Sequence, residues 1–160
     1  MNVLGVVDVD GEPLRVHVEA REPRPVCPSC GGDVAIKERP LVELVDLGVF
    51  GRRACLMWRK HRWSCSPPAC SLRSWTAEHP SIAAPRLGMT DRAGRRVSQQ
   101  VGQLGRTVNE IALELNCDWH TINDTVLAYG TPLIEDPERI GEPTALGRAQ
   151  LAVALLHGAL

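Results

Sequence analysis

Four of the six cysteines fall into two tight pairs, and this spacing constrains the fold more than any other feature of the chain. Cys27 and Cys30 bound a Cys-Pro-Ser-Cys-Gly-Gly knuckle, Cys65 and Cys70 bound a Cys-Ser-Pro-Pro-Ala-Cys loop, and 34 residues lie between the pairs. Zn²⁺ favours four thiolates in a tetrahedron at about 2.3 Å, and each short loop offers two of them on one side. Sharing one ion would draw the intervening sequence into a single closed unit. Gly31 and Gly32 let the chain double back so that backbone N–H groups face the sulfurs. Two other readings use the same residues: three disulfides, or a redox Cys-x-x-Cys site. The stretch Met1 to Asp10 is acidic and interrupted by Gly5, without the basic start of an export signal, which disfavours disulfides. No helical pattern begins at Cys27, which disfavours the redox site. The spacing predicts a structural metal held by Cys27, Cys30, Cys65 and Cys70. Four thiolates leave His61 little part as an alternate ligand, and Cys55 and Cys117 read as small buried hydrophobes.

Charge is segregated along the 160 residues. From Arg52 to Arg106 there are 11 Lys/Arg against two acids, Glu78 and Asp91, whereas the flanks hold 7 basic and 17 acidic residues. A net charge of −1 thus conceals a cationic middle, the footprint expected for a polyanionic partner. No apolar run approaches the roughly 20 residues a bilayer requires. The expectation is a cytoplasmic, nucleoid-associated protein with no membrane partner.

Val3 to Val9 and Leu14 to Val18 surround Asp10-Gly11 and read as a β-hairpin. Leu41 to Val49 and Arg53 to Ser64 flank Gly51 and read as two strands. The second carries Leu56, Trp58, Arg59, Lys60, His61, Arg62 and Trp63. Such a run either lies along a phosphate backbone with its tryptophans stacking, or packs Leu56 and Trp58 inward with the cations solvated. Ser71 to Leu87, with Pro80 and Pro85, reads as an extended connector. A helix is predicted from Thr90 or Asp91, with Ala93, Val97, Val101 and Leu104 as its apolar stripe and Arg92, Arg95 and Arg96 elsewhere.

The sequence from Thr107 to Val126 has the grammar of a helix-turn-helix. Val108, Ile111, Ala112 and Leu115 face inward on a first short helix. Asn116 occupies a left-handed turn position, Cys117 packs in the turn, and Asp118 caps a second helix with Ile122 and Val126 inward. Exposed residues early in that second helix, His120, Thr121, Asn123 and Asp124, would meet base edges. Asn suits adenine, whereas Asp124 can accept from cytosine but repels phosphate.

The leading hairpin, Cys-Pro-x-Cys-Gly, the Asp46-Leu47 strand, the basic strand ending at Cys65, Cys70 and the Trp75 to Glu78 tail together resemble the N-terminal zinc finger of bacterial insertion-sequence transposases. Ile111-Ala112, Leu115 and Trp119-His120-Thr121-Ile122 resemble the helix-turn-helix that follows that finger, so the similarity runs from about Val3 to Leu146. In those proteins an RNase H-like catalytic domain comes next. Asp136-Pro137-Glu138-Arg139-Ile140-Gly141 and Leu146-Gly147 are similar to its lead-in, but Arg148-Ala149-Gln150 stands where the resemblance implies Asp-Glu. Two-metal strand transfer needs several carboxylates about a metal pair. Glu135, Asp136, Glu138 and Glu142 cluster in a Pro-containing connector and read as solvated.

The expectation is an α+β protein: a hairpin and four-cysteine zinc ribbon over 1–80, a linker over 81–89, a helix-turn-helix domain over 90–130, and a remnant lead-in over 131–160. It would bind one Zn²⁺ and double-stranded DNA, through Arg59, Lys60, Arg62, Arg92, Arg95, Arg96, His120, Thr121 and Asn123. As the resemblance implies, it would recognise the ends of an insertion sequence without being an enzyme, as a transposase cut short before its catalytic domain, alone or with an intact transposase or a second copy. A stand-alone transcriptional regulator reading a promoter operator is the alternative.

Overall fold

A computed structural model describes residues 1–139; Ile140, Glu142, Leu146-Gly147, Arg148 to Gln150 and the apolar stretch Leu151 to Leu160 lie outside the described residues. The architecture is α+β. Seven strands come first: β1 (Asn2–Val7), β2 (Leu14–Glu19), β3 (Val34–Glu38), β4 (Leu41–Val49), β5 (Arg52–Arg59), β6 (Arg62–Cys65) and β7 (Ser74–Thr76). Three helices follow, α1 (Asp91–Gly102), α2 (Val108–Leu115) and α3 (Trp119–Glu135), then a single turn of 3-10 helix.

The strands form two sheets, β1-β2-β5-β4 and β3-β6-β7. The β1–β2 hairpin forms as its turn residues predict, with Gly11 at φ 80°. The parallel pairing of β2 with β5, from Leu14 opposite Ala54 to Glu19 opposite Arg59, joins stretches 40 residues apart and has no local signal. Arg53 to Ser64 is two strands, not one. Its backbone leaves the four-stranded sheet at Lys60, whose N–H donates to the Pro40 carbonyl (2.9 Å), and enters the other sheet at Arg62. Period-2 alternation is satisfied on both sides of the crossing, which is why the break is invisible to it. Trp58 packs with Val18, Leu44, Leu56, Ile82 and Ala83, while Trp63 packs with Val34, Cys27 and Cys70. Both rings are core residues, so the run does not offer them for stacking.

Each helix start is secured by a side chain. Thr90 caps α1 by accepting from the Ala93 N–H, and Asp118 caps α3 by accepting from the Thr121 N–H (2.8 Å). Thr107 and Glu110 cap α2 reciprocally, the carboxylate accepting from the Thr107 N–H at 2.8 Å. α2 ends as predicted at Asn116, in the left-handed region (φ 51°, ψ 52°). The Asn116 and Cys117 N–H groups return to the carbonyls of Leu113 (3.3 Å) and Ala112 (3.1 Å), satisfying two terminal acceptors. Leu104 does not join the apolar stripe: α1 stops at Gly102 and Leu104 is exposed. α3 runs on to Glu135 through Pro132, past the expected boundary at 130.

Met89, Ala93, Val97, Ile111, Ala112 and Ile122 form the helical core, and Val45 and Leu47 of β4 pack against it. The helices therefore rest on the sheet. The stretch expected as a linker, 81–89, runs along this seam. Ile82 and Ala83 are buried under the sheet, Met89 is buried under the helices, and the Val45 backbone bonds the Gly88 carbonyl (2.9 Å) and the Thr90 N–H (3.0 Å). At the α1–α3 contact, a Cβ built on Gly94 would lie 2.5 Å from the Tyr129 ring, whose hydroxyl donates to Asp91 (3.0 Å). Gly94→Val should therefore cost about 1–3 kcal/mol by overpacking, read as a lower midpoint in urea with an unchanged slope. An unaltered midpoint would show that the helices do not approach this closely.

Candidate metal centre

The Sγ atoms of Cys27, Cys30, Cys65 and Cys70 all lie within 4.8 Å of one another. Cys27 to Cys70 is 3.8 Å and Cys30 to Cys65 is 3.5 Å, so each short contact crosses between the two loops. A tetrahedron of sulfurs at the zinc–thiolate distance has edges of about 3.8 Å. The cluster thus has the size and ligand number of a closed four-thiolate metal site. The six cysteines are all free thiols.

Local backbone builds each half. The Gly31 N–H donates to the Cys27 carbonyl (2.8 Å) and the Cys27 N–H to the Gly32 carbonyl (3.0 Å), closing the first knuckle with Gly31 at φ 69°. β6 delivers Cys65, whose N–H donates to the Arg73 carbonyl (3.1 Å), and the Cys70 N–H donates to the Pro67 carbonyl (3.2 Å). The halves touch where the Ser66 N–H reaches the Asp33 carbonyl (3.0 Å) and where a Cβ on Gly32 would sit 2.6 Å from Pro67 Cγ. Only glycine allows that approach.

The electrostatics call for a cation. Burial pushes the Cys27 thiol up, but the N–H groups of Cys30 and Ser29, with the neighbouring sulfurs, bring it down to about 7. Cys65 is driven well above the ordinary thiol range by burial and by the three sulfurs around it. Like charges this close do not ionise together unaided, whereas a central divalent ion removes the conflict. The N–H groups aimed at Cys27 are the outer contacts that fix ligating sulfurs.

The other cysteines and His61 stand apart. Cys55 is half-buried, and burial beside Glu43 raises its thiol to about 11. Cys117 is half-buried against the helical core rather than fully enclosed. His61 Nε2 faces Glu19 Oε1 at 3.3 Å.

The residues expected to touch DNA divide into two groups. Arg62 pairs with Glu38 (2.7 Å), Arg95 with Asp91 (2.9 Å), and Arg92 with the buried Asp46. Lys60 lies over the Trp58 ring, 4.4 Å from its centroid. Arg59 and Arg96 are exposed, and among the described residues neither has a carboxylate within 4 Å; Arg96 donates only to Gln99 (3.2 Å). On α3, His120 and Asp124 are exposed, Thr121 and Asn123 are half-buried, and the Thr121 hydroxyl is spent on Asp118 (2.7 Å).

Sequence reasoning missed Asp46. Its carboxylate accepts from the Thr90 hydroxyl (2.7 Å), Arg92 Nε (2.8 Å) and the Leu47 N–H (2.9 Å). Burial alone would raise its pKa; Arg92 and Thr90 reverse the direction and hold it below the usual carboxylate value. An acid at an inward strand position, 46 residues from its partner, was the available signal.

No helix among the described residues is long and apolar enough to cross a membrane. The chain matches no family of known proteins, and neither a curated protein nor a solved structure is found similar to it.

Proposed function

We propose that this chain is a zinc-dependent DNA-binding module of the kind insertion-sequence transposases use to recognise element ends. Zn²⁺ is the ion that a closed set of four thiolates favours, and its role here is structural. It would hold β3, β6 and β7 together with no open position for chemistry. The observation that carries the DNA reading is the α2–Asn116–α3 turn. Capped at Asp118, it leaves His120 and Asp124 in solvent and Asn123 at the edge, on the first turns of a helix. That is the placement from which a recognition helix reads the major groove. The exposed cations Arg59 and Arg96, unpaired among the described residues, would neutralise phosphates first, while Arg92 is engaged by the buried Asp46 and Arg62 and Arg95 are in exposed ion pairs.

A mobility-shift titration of zinc-loaded protein tests this. A duplex carrying inverted-repeat ends should bind tighter than an unrelated duplex, and affinity should fall by tens-fold between about 50 and about 200 mM salt if roughly three phosphates are contacted. Binding that ignores salt, or no binding, would remove the reading. Equal or better binding to promoter operators would replace it with a transcriptional regulator.

A further inference from the structure

The β4–β5 hairpin carries two features that folding does not explain. Phe50, the only phenylalanine of the chain, is 96% exposed at the tip. Val49 pairs with Arg52, so Phe50-Gly51 is a two-residue turn, and both residues have positive φ, 51° and 74°. That turn suits Asn-Gly or Gly-Gly, and a bulky residue in the left-handed region is held at a cost. A large apolar ring is thus kept in a strained conformation in order to face water.

The tip is tied down on one side and backed by an arginine-lined cleft on the other. Arg52 ties the tip to the β1–β2 turn, donating to Asp8 (2.5 Å), the Val9 carbonyl (2.8 Å) and the Glu12 carbonyl (3.0 Å). A bulge between Asp46 and Val49 bends the strand just before the tip, at Gly48, where a Cβ would meet the Arg52 carbonyl at 2.9 Å. Behind the tip lies a cleft of about 400 Å³ between the hairpin and the helices, lined by Arg52, Arg53, Arg96 and Arg106. Its acids are paired, Glu114 with Arg106 (2.5 Å) and Asp46 with Arg92. The acids of the β1–β2 turn that touch the tip are matched too, Asp8 by Arg52 and Glu12 by Arg15. Arg53 and Arg96 remain without a carboxylate partner among the described residues.

We propose that the β4–β5 tip is a second DNA contact, in which Phe50 inserts against a base step as an apolar wedge while Arg53 and Arg96 hold the flanking phosphates. An aromatic ring on a stiff ribbon between arginines matches the way groove-binding proteins unstack a duplex. The proposal rests on the DNA-binding reading above and adds deformation of the duplex to it.

The test is Phe50→Asn in the zinc-loaded full chain, on a duplex carrying 2-aminopurine near the bound stretch. Asn suits the left-handed turn, so the thermal midpoint should hold or rise. Wild type should increase 2-aminopurine fluorescence on binding. Phe50→Asn should bind about tenfold more weakly without that increase, with an unchanged salt slope, and Phe50→Trp should restore both. Arg53→Gln should lower the salt slope by about one. Unchanged affinity and fluorescence in Phe50→Asn would overturn the wedge while leaving DNA binding intact. A lowered thermal midpoint, or loss of a self-associated state, would overturn it by assigning Phe50 to folding or to a protein contact. No binding by wild type at all would remove both this proposal and the reading beneath it.

Discussion

Stripping the metal with a chelator under reducing conditions should dismantle the β3-β6-β7 sheet and leave the four-stranded sheet and the helices folded. The core of the smaller sheet consists of Cys27, Val34, Trp63 and Cys70, with Ile36, Cys65, Leu72, Trp75 and Ala77 partly buried around it. Two of its four buried residues are the clamp itself. Three strands of five, four and three residues cannot bury enough apolar surface to offset the ordering of the loops between them. Apparent metal-binding free energies of structural four-ligand sites are about 10–16 kcal/mol, so ion and fold should be lost together. Trp63 and Trp75 would become solvated, whereas Trp58, in the other core, would not. Tryptophan emission of single-Trp variants resolves the two, and Cys65→Ser should reproduce the chelated state. Retention of the buried Trp63 signal in a metal-free preparation would show that packing, not the clamp, holds this sheet.

Arg92→Met should destabilise the chain by about 1–3 kcal/mol, the cost of removing the charged donor from a buried carboxylate that keeps only Thr90 and Leu47. Asp46 is 5% exposed and Arg92 65% exposed, so the charge left stranded is the buried one. Its partner sits in the first turn of α1, and the pair bolts that helix to β4. The pH dependence carries a sign. In the wild type the Asp46 carboxyl is held below the usual value, so its contribution is complete above the unfolded pKa near 3.8 and disappears as pH falls through the lower folded value. In Arg92→Met only burial, Thr90 and Leu47 act on Asp46. The loss of the guanidinium moves its folded pKa upward, and the acid-induced loss of stability should shrink or reverse. Urea midpoints at pH 3 to 7 measure this, and parallel curves for the two proteins would exclude the coupling. If the proposed DNA binding holds, Arg92→Met should weaken it only as far as it weakens the fold.

Where structure is local, the residues announced it. Asn116 sits in the left-handed region because a short polar side chain tolerates φ 51° and the turn requires it. Asp118 and Thr90 cap because their oxygens reach the second or third N–H of the helices that follow. The four cysteines converge as their spacing predicts, at the edge of a small core that Val34 and Trp63 share with Cys27 and Cys70. What the residues did not announce is long-range. The parallel β2–β5 pairing, the change of sheet between Arg59 and Arg62, and β3 and β7 depend on partners tens of residues away. Charge was the least specific local cue. Arg62, Arg92 and Arg95 look alike in a basic segment, yet each has a particular carboxylate that only the folded chain reveals. Phe50 carries no signal of its own in the sequence, since its exposure and positive φ depend on where the hairpin turns.

β4, which leads into the Phe50 tip, is tied through the Val45 backbone to Gly88 and Thr90, and so to the start of the helices. A double helix held at the start of α3 and at the tip, as proposed, would meet two grips on one packed unit rather than beads on a string. The number of base pairs between the two grips would then matter as much as their identity.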